Sequence, residues 1–216
     1  MARFRLSLIF VFWLFNVNSH AGETVPDVPA DLDATEKYIF YLHGSVEESE
    51  GETEKYQMAI DEIANGSLIV ISEVRGDTDP NQYADKLKTQ VDKLLAGGVA
   101  EKNITISGFS KGAIIALSAA GRISKVAINY VLLAGCSEDL NEKYNVDVSG
   151  VAGRILSIYD AEDEKFESCE GIIKPSENIV LKEVELNSGK GHKVFRIPKE
   201  KFIEQWRDPL LDWTDI

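Results

Sequence analysis

The chain has 216 residues, 44% of them hydrophobic and 27% charged, with a formal net charge of −13. That length accommodates one domain with a sizeable core rather than two, and the composition sets disordered and fibrous classes aside. The negative balance argues against a nucleic-acid partner and against docking on anionic lipid, because both need clustered Lys and Arg; keeping the protein soluble is its simplest use.

Residues 1–21 have the layout of a cleavable secretory signal: Arg3 and Arg5, an apolar run from Leu6 to Phe15, then Ser19 and Ala21 at the −3 and −1 positions. Cleavage after Ala21 would release an exported protein, periplasmic or secreted, with no stable membrane insertion. An uncleaved anchor lengthened by Trp13 is the alternative, although the run is shorter than the ~20 residues a span needs. Residues 22–34 are polar and proline-bearing and read as an irregular lead-in, followed by a single domain over 35–216.

The run "KYIFYLHGS" reads as a buried strand closed by the turn His43-Gly44. "EESEGETEKYQ" reads as an acidic loop leading into a helix from about Glu54 to Ala64, and "SLIVISEV" as a second strand. Pro80 lies just inside the next helix with Asp79 as its N-cap; Tyr83, Leu87, Val91, Leu94 and Leu95 recur at helical spacing until Gly97-Gly98 stops it. "NITISGF" is a third strand, and "KGAIIALSAAGRI" a helix apolar nearly all round, hence central and covered. "AINYVLLAG", "RILSIYD" and "NIVLKEVELN" are three more strands, and Pro198 to Trp206 forms a closing helix with Phe202 and Trp206 one turn apart. Strands alternating with helices predict an α/β fold: a mainly parallel sheet of about six strands with helices on both faces. In such sheets reactive groups gather beyond the carboxyl ends of the strands.

One stretch sits where that rule points. Gly108-Phe109-Ser110-Lys111-Gly112 is a G-x-S-x-G sequence between a strand and a helix. A serine held in so sharp a turn needs neighbours without a Cβ, and its hydroxyl is then presented at a helix N-terminus. A serine nucleophile needs a base. Of the three histidines, His20 belongs to the signal and His43 follows the first strand, too early for the order Ser, Asp or Glu, His. His192, in the loop "NSGKGHKVF" after the last strand, fits; the bland alternative is a solvated or capping side chain. The orienting carboxylate is expected after "RILSIYD". Asp163 has the reach; Asp160, nearer the strand, better suits a turn cap or solvent, but it remains an alternative, as do Glu162 and Glu164. Two backbone amides should bind an oxyanion, those of Lys111 and of Ser45, with Gly44 letting the Ser45 loop come close. His43 is then structural, its ring bonding nearby backbone.

Cys136 and Cys169 lie in no CxxC pair, so they are read as one disulfide in an oxidising compartment, with two free buried thiols as the alternative. Asp77, Asp79, Asn81 and Asp85 have calcium-loop spacing, but Gln82 stands where glycine is needed and Lys88 where the bidentate glutamate belongs. With no Walker A, H-E-x-x-H or dinucleotide fingerprint, no cofactor or metal is expected.

"YLHGS", "GFSKGA", "IYDAEDE" and "GKGHKVF", in that order, resemble the α/β-hydrolase superfamily, and within it the small lidless serine hydrolases of the dienelactone-hydrolase-like and carboxylesterase-like kind. The resemblance runs from about Lys37 to Trp213. It implies a minimal parallel sheet without the usual N-terminal antiparallel hairpin, and hydrolysis of an acyl, ester-type bond through a Ser110–His192–Asp163 triad and an acyl-enzyme. Peptidase, thioesterase and acyltransferase activities use the same triad, and a non-catalytic binding module on this fold is the rival from another class. Lys111 is an unusual neighbour for the nucleophile; pairing with Glu73 is favoured over attraction of an anionic substrate. The stretch "CSEDLNEKYNVDVSGVAG" is too short for a substantial lid, so the mouth should be open to a small-molecule or polymer-attached acyl substrate. A Cys136–Cys169 disulfide would lie at the active edge and brace the Asp163 loop.

Overall fold

The computed structural model describes residues 22–65 and 68–215; the expected signal segment, 1–21, lies outside them. Seven strands form one sheet: β1 (Thr24–Val25), β2 (Tyr38–Leu42), β3 (Ile69–Ile71), β4 (Ile104–Phe109), β5 (Asn129–Leu133), β6 (Gly153–Asp160) and β7 (Ile179–Leu186). Their order is β1-β3-β2-β4-β5-β6-β7 and every neighbouring pair is parallel. The sheet therefore has one strand more than the six expected. The addition is β1, two residues inside the lead-in read as irregular, pairing with the edge of β3. So short a strand carries no periodicity of its own to read.

Helices α1 (Ser45–Glu50), α2 (Glu54–Ala64), α3 (Pro80–Ala96), α4 (Lys111–Ile123), α5 (Glu138–Lys143) and α6 (Glu200–Thr214) complete the described fold. Alternation along β2 shows how the strands serve two layers. Tyr38, Phe40 and Leu42 join the core formed with α3 and α4, while Ile39 and Tyr41 join the one formed with α2 and α6. Both faces are thus covered, as continuous apolar strands require. Truncating a fully buried central residue such as Ile106 to alanine is worth about 2–5 kcal/mol. Helix α4 is buried over nearly its whole length, in keeping with its all-round apolar sequence. Helix α3 starts at Pro80 with the Asp79 carboxylate accepting from the amides of Asn81 and Gln82.

Two helices also differ from expectation. The acidic stretch after Gly44 is helical over Ser45–Glu50, because Glu47 and Glu48 are buried against cations from distant segments, a tertiary gain that local composition does not reveal. The closing helix begins at Glu200 and runs through Pro209 to Thr214, held by buried Trp206, Leu210 and Trp213. Among the described residues no helix is long and apolar enough to cross a membrane.

Register decides where the strands end. Leu42 sits opposite Gly108, Phe109 opposite Leu133, and Asp160 opposite Leu186, so the loops after β2, β4, β5, β6 and β7 open at one edge.

Candidate active site

Ser110 joins β4 to α4 with φ 55° and ψ −121°, a conformation most L-residues avoid. The reason is steric. A Cβ on Gly108 would lie 2.3 Å from the backbone of Gly112, and one on Gly112 would lie 2.0 Å from the Leu42 carbonyl oxygen. The start of α4 is pressed against β4 and the end of β2, and the chain makes that turn only by forcing the residue between them into positive φ. The Ser110 amide donates to the Leu133 carbonyl at 2.9 Å, and its carbonyl accepts from Ala113 and Ile114. Its side chain makes no capping bond to α4 and stays partly exposed, so the backbone is fixed and the hydroxyl is left for other partners.

His192 lies in a 3-10 turn, Gly191–Arg196, after β7. Its Nδ1 is 2.7 Å from Asp163 Oδ2. The carboxylate only accepts, so Nδ1 carries the proton and Nε2 is left as the basic nitrogen. Asp163 is nearly closed to solvent: its side chain is 1% exposed, against 33% for His192. Burial pushes its pKa up, but the bonds from His192 and from the amides of Lys165 and Phe166 outweigh this and hold the carboxyl below its ordinary range. The imidazole is sandwiched between two rings, Phe109 at 4.8 Å and Phe166 at 4.9 Å. Phe109 immediately precedes Ser110, so the stacking draws the His192 loop to the serine's side of the cleft.

Asp160 holds this arrangement from below. It is 1% exposed, where solvent exposure or a simple turn cap was expected. One oxygen accepts from the amides of Glu162 and Gly191, the other from the amide and hydroxyl of Ser188. A single buried carboxylate thus joins the loop bearing Asp163 to the residue before His192. Gly191, at φ 55°, packs so that a Cβ would meet the Glu162 carbonyl at 2.6 Å. Glu162 and Glu164, the other acid candidates, are exposed. Nothing in the sequence separates Asp160 from a surface turn residue, and the Phe166 contact depends on a loop path that sequence does not specify.

On the opposite wall, Ser45 and Lys111 are the first residues of α1 and α4, where backbone amides have no intrahelical acceptor. Gly44 lets the first loop approach: a Cβ there would stand 3.3 Å from the Phe109 ring. His43 is buried, with Nε2 accepting from the Arg75 amide at 2.9 Å and Nδ1 donating to the Gly44 carbonyl at 2.7 Å. Burial, then the Arg75 charge, push its imidazole down to about 4, so it remains neutral at ordinary pH. Lys111 is paired internally, but with Glu48 and Asp77 at 2.7 and 2.9 Å instead of the expected Glu73. Glu73 binds Lys86 and the Tyr83 hydroxyl instead. Burial pushes the Lys111 ammonium's pKa down, yet its bonds to the two carboxylates more than reverse that, and it stays charged.

Cys136 and Cys169 form a disulfide, with a Cα separation of 5.1 Å. It joins the segment after β5 to the end of the Asp163 loop, and the Glu167 amide donates to the Cys136 carbonyl alongside. Among the described residues no group of three His, Cys, Asp or Glu side chains is arranged to hold a metal.

Ser110, His192, Asp163, Ser45 and Lys111 all line one open cleft of about 740 Å³ at the carboxyl edge of the sheet. Solved structures of similar fold include a protein assigned as a dienelactone hydrolase from Klebsiella pneumoniae subsp. pneumoniae MGH 78578. It is 15% identical, with TM-score 0.62, over 87% of this chain and 90% of that one. Est1E from Butyrivibrio proteoclasticus, solved with ferulic acid, is 12% identical with TM-score 0.59 over 88% and 94%. A phospholipase/carboxylesterase from Dyadobacter fermentans DSM 18053 is 12% identical with TM-score 0.56 over 84% and 94%. At such identities these structures speak for the α/β-hydrolase fold alone. No curated protein matches the chain. Sequence evidence comes from the family model Abhydrolase_2, described as Phospholipase/Carboxylesterase, which matches residues 70–193 and so spans the turn at Ser110, the Asp163 loop and His192. That match takes in more than half of the chain, which is therefore a hydrolase of α/β fold belonging to the phospholipase/carboxylesterase family.

Proposed function

We propose that the protein is an exported serine hydrolase that cleaves ester-type acyl bonds through Ser110, His192 and Asp163. One observation carries the reading: a strained serine shares a cleft with an imidazole whose Nδ1 is bound to a buried carboxylate at 2.7 Å. Ser110 Oγ attacks the substrate carbonyl while His192 Nε2 takes its proton. Asp163 holds the ring in the Nδ1–H tautomer and stabilises the imidazolium. The oxyanion accepts from the amides of Lys111 and Ser45. Collapse of the tetrahedral intermediate breaks the ester C–O bond, and His192 returns the proton to the leaving alcohol. Water, deprotonated by the same imidazole, then releases the acid and regenerates Ser110.

The open cleft suits a small or polymer-attached acyl substrate, and the ferulic acid found with Est1E makes aromatic acyl esters a sensible first panel. Export after Ala21, leaving a lead-in and one domain, agrees with the disulfide. A fluorophosphonate probe should label the wild-type protein and spare Ser110→Ala; equal labelling of both would remove Ser110 from the role. A folded protein with no turnover of short nitrophenyl esters above buffer would favour the binding-module alternative.

A further inference from the structure

The side chain of Lys111 is the odd feature of the nucleophile turn. It is 8% exposed and reaches to Glu48, which is 5% exposed and sits three residues beyond Ser45. Glu48 uses both oxygens on cations from different segments: Oε2 on Lys111 at 2.7 Å and Oε1 on Arg75 Nε at 3.1 Å, with Arg75 only 3% exposed. Arg75 also clasps the loop leading to Ser45. Its amide donates to His43 Nε2 and its guanidinium to the His43 carbonyl, while the His43 ring donates to the Gly44 carbonyl. The His43 and Gly44 carbonyls are therefore both occupied, which leaves the Ser45 amide, in the same peptide as the Gly44 carbonyl, little freedom to rotate.

Burying three charges side by side is a poor way to gain stability, since well-packed apolar groups of the same volume usually do as well or better. What an ion pair supplies that apolar packing does not is a fixed distance and direction between two elements. Here those elements are α1, headed by the Ser45 amide, and α4, headed by the Lys111 amide.

We propose that Glu48 and Arg75 are positioning residues for the oxyanion hole, with the Lys111 side chain as the strut that holds its two donors at their working separation. Resting as it does on the serine-hydrolase reading, this assigns Lys111 a double duty: its amide touches the reacting oxygen and its ammonium sets where the facing amide stands. Its charge is taken up by Glu48 and Asp77, so anion attraction is not its use.

The test is kinetic, with 4-nitrophenyl acetate as substrate and a trifluoromethyl ketone, whose serine adduct carries an oxyanion, as inhibitor. Glu48→Gln should lower kcat about ten- to a hundredfold with KM changed less than about twofold, somewhat less than outright removal of a donor, and weaken the ketone by the same factor. The double variant E48L/K111M decides should the single change fold poorly, since an apolar pair replaces both charges: it should be folded and still show the kcat and ketone losses. Full kcat and ketone affinity in a folded E48L/K111M, or in Glu48→Gln, would overturn the proposal. Fluorophosphonate labelling of the wild type keeps the two claims apart: if labelling depends on Ser110 and these variants behave as wild type, only the positioning role fails.

Discussion

The two walls of the cleft are built on different principles. The serine turn is a product of backbone sterics confined to a few residues: two glycines pressed against neighbouring backbone and one residue forced to φ 55° between them. The wall carrying Asp163 and His192 is assembled from loops 29 residues apart in sequence and held by side-chain bonds, ring stacking and a disulfide. A steric device tolerates no substitution, whereas a bonded one should weaken by degrees.

Three measurements sharpen that contrast. The largest effect on stability is expected for Gly112→Ala, whose methyl would fall 2.0 Å from the Leu42 carbonyl and 2.6 Å from that of His43, both backbone. The loss should exceed about 4 kcal/mol, beyond the ordinary range of point substitutions, and be read as failure to fold or a collapse of Tm. A melting curve near that of the wild type would show that the turn is less crowded than described. Replacing both cysteines by serine opens a loop whose ends are 33 residues apart and should cost about 3–4 kcal/mol in urea unfolding in the chain-entropy model. Because Asp160 still fastens the Asp163 loop to Ser188 and Gly191, some esterase turnover should survive; complete inactivation of the folded variant would mean that the disulfide alone sets the site.

The smallest of the three is a pH effect at the wall opposite His192. His43 is neutral in the fold down to about pH 4, while the unfolded imidazole takes up its proton near 6.5. The unfolded state therefore binds more protons between those values, and stability should fall as pH drops through that window, by about 3 kcal/mol in all. Unfolding free energies measured across pH 4–7 should show that slope, and His43→Gln should flatten it. A slope unchanged in the variant would assign the acid sensitivity to other groups.

The same contrast explains what sequence reveals here. G-x-S-x-G between a strand and a helix is legible because its cause, close backbone approach, is written in adjacent residues. Asp163 and His192 are legible from chain order and the rule that loops open at the carboxyl edge, and the cysteine pair from there being two cysteines, in no CxxC pair, in a chain with a secretory-signal layout. Helix Ser45–Glu50 and strand Thr24–Val25 are not, because each is stabilised by partners elsewhere: Glu47 by Arg196, Glu48 by Arg75 and Lys111, and Thr24 by pairing with Val70. The role of Asp160 is not legible in the sequence because its bonds to Ser188 and Gly191 cross from one loop to another. Lys111 shows the limit most clearly: internal pairing follows from a lysine beside a buried turn, but the choice of Glu48 over Glu73 is a matter of three-dimensional placement.

Whether Ser110 and His192 act as one unit is tested most directly by a kinetic cycle of Ser110→Ala, His192→Ala and the double variant on one nitrophenyl ester. Each single change should cut kcat by about four to six orders of magnitude, and the double variant should be no slower than the worse single one, because a nucleophile without its base is already disabled. Independent, multiplicative losses, or a His192→Ala protein that keeps most of its turnover, would contradict the account.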